Sequence, residues 1–345
     1  MFGKRTSLRV GVSLLVVAAA LAAGWFAAAL EPDARPRLST ALDAVPASTT
    51  VLGFTDWASI RDRLGDDDLL SEARRRDLST RSVIGREDPD AQREVLGWTA
   101  SQAEWEVLGE NAKEAAVLVV RLTGSVDFGD LETKLRSAGY QRKGDVWASG
   151  GKTGVPSLLS QVSLVPRQRL VVASDRGDTV ERALDVVHGR ARSLARVHSA
   201  VDTAQALAGS HSVLLQTGRL GCGTAAVTGE DGRERQARAA EQRAGRLVPY
   251  RYSGRGLEER GGSGFGSQRL VFAMTFDTAA EAAEQARVRE RLATGPFIGR
   301  SGAIGDTLRI DQAGSDAATV HLAFDHDPDT GVFMTGTGPV LFASC

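Results

Sequence analysis

The sequence contains few cysteines, few aromatic residues and no excess of charge of either sign. Among 345 residues there are 2 Cys, aromatic residues make up 6%, and the formal net charge is −1. Two cysteines are too few for a small disulfide-stapled scaffold, and no spacing of Cys and His resembles a zinc site. The basic residues are distributed along the chain, so there is no electrostatic footprint for nucleic acid. These absences exclude a disulfide-rich miniprotein, a Cys-ligated zinc domain and a dedicated nucleic-acid binder.

Long apolar runs are also scarce, and the one that is present lies at the start of the chain. An uncharged apolar stretch extends from Val10 to Leu30, and basic residues precede it, namely Lys4, Arg5 and Arg9. A membrane-crossing helix needs about 20 apolar residues, whereas the apolar part of a cleavable signal has about 7 to 15. The length favours a single-pass anchor within residues 1–30, and the basic flank predicts that the rest of the chain is extracytoplasmic. The alternative is a cleaved signal peptide and a secreted protein.

The two cysteines are Cys222 and the C-terminal Cys345. In an exported domain the natural hypothesis is one disulfide between them, because oxidising compartments preserve such bonds. A loop of this length is expected to stabilise the fold by about 4 to 5 kcal/mol in the chain-entropy model. Two free thiols are the alternative if the domain is cytoplasmic.

Prolines and mixed charges over residues 31–46 predict a tether, which leaves residues 47–345 as the ectodomain. Within it, strand-like runs alternate with single helices, three of which are indicated by the capping residues Asp127, Asp178 and Thr278. Several consecutive strands are joined by short polar turns, which suit antiparallel hairpins better than parallel crossovers. The sequence therefore predicts an α+β fold of antiparallel sheets with helices on one face.

An internal repeat is indicated by the order strand, helix, strand, strand. This order occurs around Ala115–Ser174 and again around Arg269–Thr337, which predicts two related halves. Between them, residues 229–268 are dense in Arg, Glu and Gly. This composition predicts a flexible insertion, within which residues 236–246 could form a charged helix.

A cluster of carboxylates is the best candidate for a cation site. Asp325, Asp327 and Asp329 alternate in a turn that could present oxygen ligands to Ca²⁺. The segment lacks the glycine and glutamate of an EF-hand loop, and a hairpin turn explains the same residues. The turn is the favoured interpretation, and cation binding stays open.

No other motif assigns a catalytic, cofactor-binding or metal-binding residue. Residues 149–154 combine Ser-x-x-Lys with Lys-Thr-Gly, but one lysine cannot serve both elements of a penicillin-binding enzyme. Tryptophans in the first half could form a sugar-binding platform, although core packing is the commoner use of Trp. The histidines form no metal-binding pattern; they are His188, His198, His211, His321 and His326.

Several short segments together carry a resemblance to known sequences. The basic start and apolar span, with Val45–Ala47 leading into Val51–Trp57 and Gly97–Ala100 followed by Trp105, resemble uncharacterised membrane-anchored or secreted proteins of high-GC actinobacteria. The resemblance implies an envelope location and carries no activity, cofactor or catalytic residue.

Two function classes follow. The first is a non-catalytic binding or interaction module of the cell envelope, held by its N-terminal helix, with an envelope protein as a possible partner. The second is an envelope hydrolase whose residues are scattered in sequence, which would be indicated by His321 meeting two carboxylates in a cleft. The first is favoured, because no reaction-specific residue set is present.

Overall fold

Antiparallel strand pairing organises the chain in a computed structural model that describes residues 35–150, 156–227, 232–298, 302–328 and 340–345. The described helices are α1 (Arg37–Asp43), α2 (Trp57–Leu64), α3 (Leu69–Arg75), α4 (Pro89–Leu96), α5 (Phe128–Ser137), α6 (Gly177–Val187), α7 (His198–Gln205), α8 (Gly218–Ala225), α9 (Arg233–Ala244) and α10 (Ala279–Ala293). The described strands are β1 (Val51–Thr55), β2 (Ala103–Asn111), β3 (Glu114–Leu122), β4 (Gln141–Lys143), β5 (Val146–Ala148), β6 (Gln161–Val165), β7 (Leu170–Ser174), β8 (Ser212–Thr217), β9 (Tyr252–Glu259), β10 (Gln268–Thr275), β11 (Leu308–Asp316) and β12 (Thr319–His326).

These strands form one 12-stranded sheet in the order β11-β12-β10-β9-β8-β1-β2-β3-β7-β6-β5-β4. Every ladder between the described neighbours is antiparallel, as the short polar turns predict. The predicted α+β class with antiparallel pairing is therefore confirmed.

The sheet separates two hydrophobic layers. Successive side chains of a strand point to opposite faces, so in β10 Leu270 and Phe272 enter one core and Val271 and Ala273 the other. The first layer holds the buried side of α2 to α5 and of α8 to α10, and the second holds that of α1, α6 and α7. Helices thus cover both faces, whereas the sequence predicted them on one, because strands apolar on both sides need cover on both.

The predicted helix starts agree closely with the structure at two of three places. Asp127 accepts hydrogen bonds from the backbone N–H of Gly129 and Asp130 and begins α5. The Thr278 hydroxyl accepts from Glu281 N–H and begins α10. Asp178, the predicted cap of α6, lies instead in the first turn of this helix, where the positive end of the helix dipole stabilises its carboxylate.

An internal two-fold relation runs through the centre of the sheet. Gly53 faces Leu214 at the middle of the β1–β8 ladder. Outward from it one half follows the order β1-β2-β3-β7-β6 and the other β8-β9-β10-β12-β11. Each half inserts a helix, α5 or α10, after its third strand. The predicted repeat of strand, helix, strand, strand is therefore present, with the hairpin β4–β5 added in the first half.

The predicted tether over residues 31–46 is wrong from residue 37 onward. Leu38, Ala41 and Leu42 occupy one face of α1 and are buried in the second core layer. This spacing of i, i+3 and i+4 is that of an amphipathic helix. Backbone contacts accordingly group Arg37–Cys345 as one unit.

The predicted flexible insertion over residues 229–268 is also wrong for most of its length, although the charged helix predicted within it, over residues 236–246, corresponds to α9. Helix α9 buries Ala237, Ala240 and Ala244, and β9 lies between β8 and β10 inside the sheet. Glycines in β9 reflect close packing: a Cβ at Gly254 would lie 2.5 Å from Cδ1 of Leu207. The glycine content therefore marks the approach of α7 to the sheet.

Candidate functional site

An apolar cavity of about 260 Å³ lies in the first core layer of the second half. Helices α9 and α10, strands β9, β10 and β11 and residues 340–342 contribute its walls. The described lining is mostly hydrophobic and includes Leu270, Phe272, Leu292, Phe297, Ile304 and Phe342. It contains no carboxylate, histidine, hydroxyl or thiol among the residues that the structure describes, so no general base or nucleophile faces this space.

Arginines are the charged side chains of this lining: Arg243 and Arg291 are exposed, whereas Arg255 is buried. It projects from the middle of β9 into the cavity region and is 8% exposed. Its guanidinium carbon lies 5.1 Å from the ring centroid of Phe272, its partner in the β9–β10 register. Within the described part of the chain no carboxylate pairs with this guanidinium and no acceptor takes a hydrogen bond from it. A buried cation with five N–H donors therefore faces an apolar space.

The surroundings of Arg255 disfavour its charge. Burial lowers the pKa of Arg255 to about 10; nearby Tyr250 partly opposes this shift, and the positive charge of Arg81 adds to it. Moving a charged group out of water without a partner is costly, and an arriving anion would offset that cost. The electrostatics of the cavity favour a negatively charged group beside Arg255.

A second buried arginine in the same region has hydrogen-bond partners for both terminal nitrogens of its guanidinium, although its Nε has none. Arg289 is 0% exposed, and it donates to the carbonyls of Phe342 at 2.7 Å, Ser344 at 2.9 Å and Val248 at 3.1 Å. Burial lowers the pKa of Arg289 to about 10 as well. The two residues differ in their hydrogen bonds: Arg289 donates to three backbone carbonyls, whereas no acceptor among the described residues takes a hydrogen bond from Arg255.

The C-terminal segment forms a fixed wall of the cavity. Val340 N–H donates to the Ala225 carbonyl at 3.1 Å, and the Tyr250 hydroxyl donates to the Ala343 carbonyl at 2.9 Å. The predicted cysteine pair completes this attachment, because Cys222 and Cys345 lie at disulfide distance, with Cα atoms 5.3 Å apart and 123 positions between them in sequence. A disulfide between them would anchor the residues that close one side of the site.

The internal two-fold relation shows that the arginine belongs to one half only. Gly53 and Leu214 are equivalent, and the ladders place Leu108 opposite the first and Arg255 opposite the second. Leu108 in turn faces Leu118, as Arg255 faces Phe272. The first half has an apolar pair where the second half has a cation beside an aromatic ring.

Two of the five histidines, His211 and His326, belong to a buried polar network elsewhere in the fold. Arg76 Nη1 donates to the Glu259 carboxylate at 2.7 Å, and Gln268 Nε2 does so at 3.2 Å. Glu259 N–H donates to Nδ1 of His211 at 2.9 Å, and Nδ1 of His326 lies 3.0 Å from the Gln268 amide oxygen. Burial lowers the pKa of His211. The network joins α3 to the β9–β10 hairpin and contains no nucleophile.

Another buried carboxylate, Glu106, is also fully engaged. It accepts hydrogen bonds from the indole of Trp57 at 3.1 Å, from the Ser82 hydroxyl, and from the backbone N–H groups of Val83 and Ile84. Burial raises the pKa of Glu106, and these donors oppose that rise. These hydrogen bonds hold the segment after α3 against strand β2.

The arrangement that would have indicated a hydrolase is present only in part. His321 shares a groove of about 440 Å³ with Asp202 and Asp316. No hydrogen bond or ion pair among the described residues joins these three side chains. Thr319, the hydroxyl of the described lining, is bound to Thr275 at 2.9 Å. A nucleophile and base within hydrogen-bonding reach, which such chemistry needs, are lacking among these residues.

Of the carboxylates considered for a cation site, Asp325 forms an ion pair with Arg260 at 3.1 Å, whereas Asp329 lies outside the described residues. The apolar run Val10–Leu30 also lies outside them. Within the described residues no group of three or more His, Cys, Asp or Glu is placed to hold a metal ion. The four tryptophans of the predicted platform are at most 4% exposed and pack in the core; they are Trp57, Trp98, Trp105 and Trp147.

None of the helices in the described ranges combines the length and the apolar composition that crossing a membrane requires. Comparison with protein-family models, with curated proteins and with solved structures finds no match to this chain. The resemblance to actinobacterial envelope proteins stays a prediction, and function has to be argued from the site itself.

Sequence reasoning missed Arg255, because its strand was assigned to an insertion. A signal was available in the alternation of β9. Arg255 and Leu257 are two positions apart, so they point to the same face of the sheet, and Leu257 belongs to the first core layer. Correct placement of this strand would have placed an arginine in the core.

Proposed function

We propose that this chain is a non-catalytic ectodomain of the cell envelope, attached to the membrane by its N-terminal segment, that binds a small amphipathic acid. The ligand class is an apolar group with one anionic head, a carboxylate above all. The carboxylate of the ligand would lie against Arg255, and its apolar part would fill the cavity between α9, α10 and the sheet.

One observation carries this proposal: the 8% exposed Arg255 has no anion or hydrogen-bond acceptor among the described residues and lines an apolar cavity. Arginine binds carboxylates through two parallel N–H donors, and such charge-assisted bonds are the strong ones in a site that excludes water. An anion placed there would restore the charged state that burial disfavours.

The lining and volume define the rest of the ligand. Because the walls beside Arg255 are aliphatic and aromatic, a hydrophilic acid would lose its hydration without compensation. An engineered cavity of about 150 Å³ holds benzene. A cavity of about 260 Å³ therefore suits a ring with a short chain, or a short acyl chain, better than a long lipid.

Non-catalytic binding is supported by the absence of any titratable acid or base among the described lining residues other than arginine. The envelope location is supported by the basic and apolar start of the sequence and by the cysteine pair at disulfide distance. An envelope protein that delivers or receives the ligand is part of the same proposal.

The test compares an acid with its uncharged analogue. Full-length protein in lipid nanodiscs would be titrated with 4-phenylbutyrate and with 4-phenylbutanol by calorimetry, with empty nanodiscs as the blank. In the wild type we expect the acid to bind about 10- to 100-fold more tightly, as a hydrogen-bonded charge contributes about 1.5 to 3 kcal/mol. In Arg255→Met this preference should fall to less than threefold.

The matched control is Arg238→Met, which removes an exposed arginine of α9 paired with Glu234 outside the cavity lining. It should keep the wild-type preference for the acid. Equal binding of acid and alcohol by the wild type, or no binding of either, would refute the proposal. An Arg255→Met variant that still prefers the acid would refute the role of Arg255.

A further inference from the structure

One edge of the sheet ends in a long strand that is paired on one side only. Strand β11 pairs with β12, and no other strand among the described residues pairs with its outer edge. Such an edge presents a row of backbone N–H and C=O groups to any further strand. The opposite edge, β4, has 3 residues, all exposed, and includes Arg142 and Lys143. A short, basic strand is protected against pairing, whereas β11, with 9 residues, is not shortened in this way.

The outer edge of β11 leaves apolar side chains incompletely covered. Ile310 and Ala313 pack against the first core layer, but both remain only partly buried. A strand added at this edge would cover both side chains and would pair with the outer backbone groups. The edge therefore offers hydrogen bonds and apolar area to a further strand.

Two charged residues of β11 point to the other face of the sheet. Arg309 directly precedes Ile310 and so points to the opposite face. It faces Asp325 in the β11–β12 register, and Asp316 faces Thr319. These partners are an even number of positions apart and share a face, so Arg309 and Asp316 share it too, although an odd number of positions separates them. The β-bulge in this ladder supplies the extra residue that makes this possible.

Neither of these two charges has a counter-charge in the described part of the chain. Arg309 is exposed, and its guanidinium carbon lies 3.8 Å from the ring centroid of Phe265, but it forms no ion pair with a described residue. Asp316 is also exposed and forms no ion pair within the described ranges. By contrast Asp311, in the bulge, pairs with Arg269 at 3.0 Å. Strand β11 therefore carries an unneutralised positive charge near its start and an unneutralised negative charge at its end.

A second copy of β11 brings these opposite charges together. Two antiparallel strands related by a two-fold axis can place Ala313 opposite the partner's Ala313. With the bulge residue skipped in both strands, this register places Arg309 opposite the partner's Asp316 and Ile310 opposite the partner's Ser315. The members of each pair point to the same face of the joined sheet, as strand pairing requires. The edge is therefore complementary to itself in charge and in pattern.

We propose that two copies of this chain pair through β11, in antiparallel register about Ala313, so that their sheets become continuous and each Arg309 faces the partner's Asp316. A second copy fits this edge better than an unrelated extended peptide, because the two-fold axis forms the same charge pair twice. The pairing uses neither Arg255 nor a ligand in its cavity, so it does not depend on the proposed binding function.

The test places a cysteine at the proposed two-fold axis. Full-length Ala313→Cys protein in mild detergent should form a disulfide-linked dimer on gentle oxidation, which a non-reducing gel detects and a reductant removes. Residues directly opposite each other in such a pair have Cβ atoms about 4.5 to 5.5 Å apart, which is close enough for this bond after small adjustments. The wild type, whose two cysteines lie at disulfide distance from each other, is the blank.

Ser315→Cys is the matched control for the register. Residue 315 is two positions from the axis in each strand, so its two copies are about 13 Å apart and cannot be bridged. It should yield at least about fivefold less cross-linked dimer than Ala313→Cys.

Charge reversal tests the pairing in the Ala313→Cys background. Arg309→Asp should lower the yield of dimer about fivefold or more, because both symmetric pairs change from attraction to repulsion. Adding Asp316→Arg exchanges the two charges and should restore the yield. Arg182→Asp, which changes an exposed arginine of α6 in the other half of the sheet, should leave the yield as it is. Melting curves check that each variant is folded.

Three results would overturn the proposal. The first is wild-type full-length protein that sediments as a monomer throughout a dilution series in detergent. The second is cross-linking of Ser315→Cys as efficient as that of Ala313→Cys, which contradicts the register. The third is a dimer that Arg309→Asp does not weaken, which would assign the association to another surface.

Discussion

Replacing Arg255 by methionine should stabilise the unliganded protein, and the structure gives the size of the effect. Burial lowers the pKa of Arg255 to about 10, from an ordinary value above 12. A tenfold change in a protonation equilibrium corresponds to about 1.4 kcal/mol, so the charged side chain costs the folded state about 3 kcal/mol. Methionine is unbranched and apolar and fills a similar space. We expect the free energy of unfolding to rise by about 1 to 3 kcal/mol at pH 7.

The sign follows from linkage. The pKa in the folded state lies below the value in the unfolded chain, so the unfolded chain binds more protons between the two values. The penalty is therefore fully present at every pH below about 10 and decreases as the pH rises towards the unfolded value. Urea unfolding at pH 7 measures it at its full size.

Arg289→Met is the control for this prediction, because it also removes a buried arginine. Burial lowers the pKa of Arg289 to about 10 too, but its guanidinium donates to three carbonyls. Removing it leaves buried acceptors without donors, at about 1 to 3 kcal/mol each. The two substitutions should therefore change stability in opposite directions. A loss of stability in Arg255→Met similar to that in Arg289→Met would refute the argument that Arg255 lacks partners in the folded protein.

Further predictions concern the disulfide and the buried network. Replacing Cys222 and Cys345 together by serine should lower the free energy of unfolding by about 4 to 5 kcal/mol, because 123 positions separate them; a loss under 1 kcal/mol in urea unfolding would contradict the bond. His211→Asn should flatten the decline of stability as pH falls below about 6.5, since burial lowers the pKa of His211 and the unfolded chain takes up the proton; melting curves from pH 5 to 7 test this. Arg76→Met should cost about 3 to 5 kcal/mol by leaving the carboxylate of the 0% exposed Glu259 without its counter-charge, and adding Glu259→Gln should recover most of it in denaturant titrations.

The sequence predicts the parts of the fold that depend on local chemistry. Capping residues such as Asp127 and Thr278 predict where their helices begin, because a side-chain oxygen accepts hydrogen bonds from the first backbone N–H groups of the helix. This interaction is local and does not depend on what packs against the helix. Antiparallel pairing and the repeat followed from short turns and element order. These features need no knowledge of what packs against them.

The features that the sequence did not reveal are set by packing at a distance. Strand β9 resembles a loop in composition because it contains glycines. These glycines are required because the residues after α7 pack directly on the strand: a Cβ at Gly256 would lie 2.0 Å from the Ser210 hydroxyl. Helix α1 carries a helical signal in Leu38 and Leu42 that the neighbouring prolines obscured. The cavity is beyond sequence reasoning, because its walls come from five separate elements and from the C-terminal residues.

The proposed site occurs where the two halves of the sheet differ. The apolar Leu108 of the first half corresponds to Arg255 of the second, which faces a cavity. Leu108 shows what folding alone requires at that position. Arg255 instead buries a charged group without a counter-ion among the described residues, which costs stability. A cost present in one half only, beside a cavity, is the pattern expected of a site that a ligand completes.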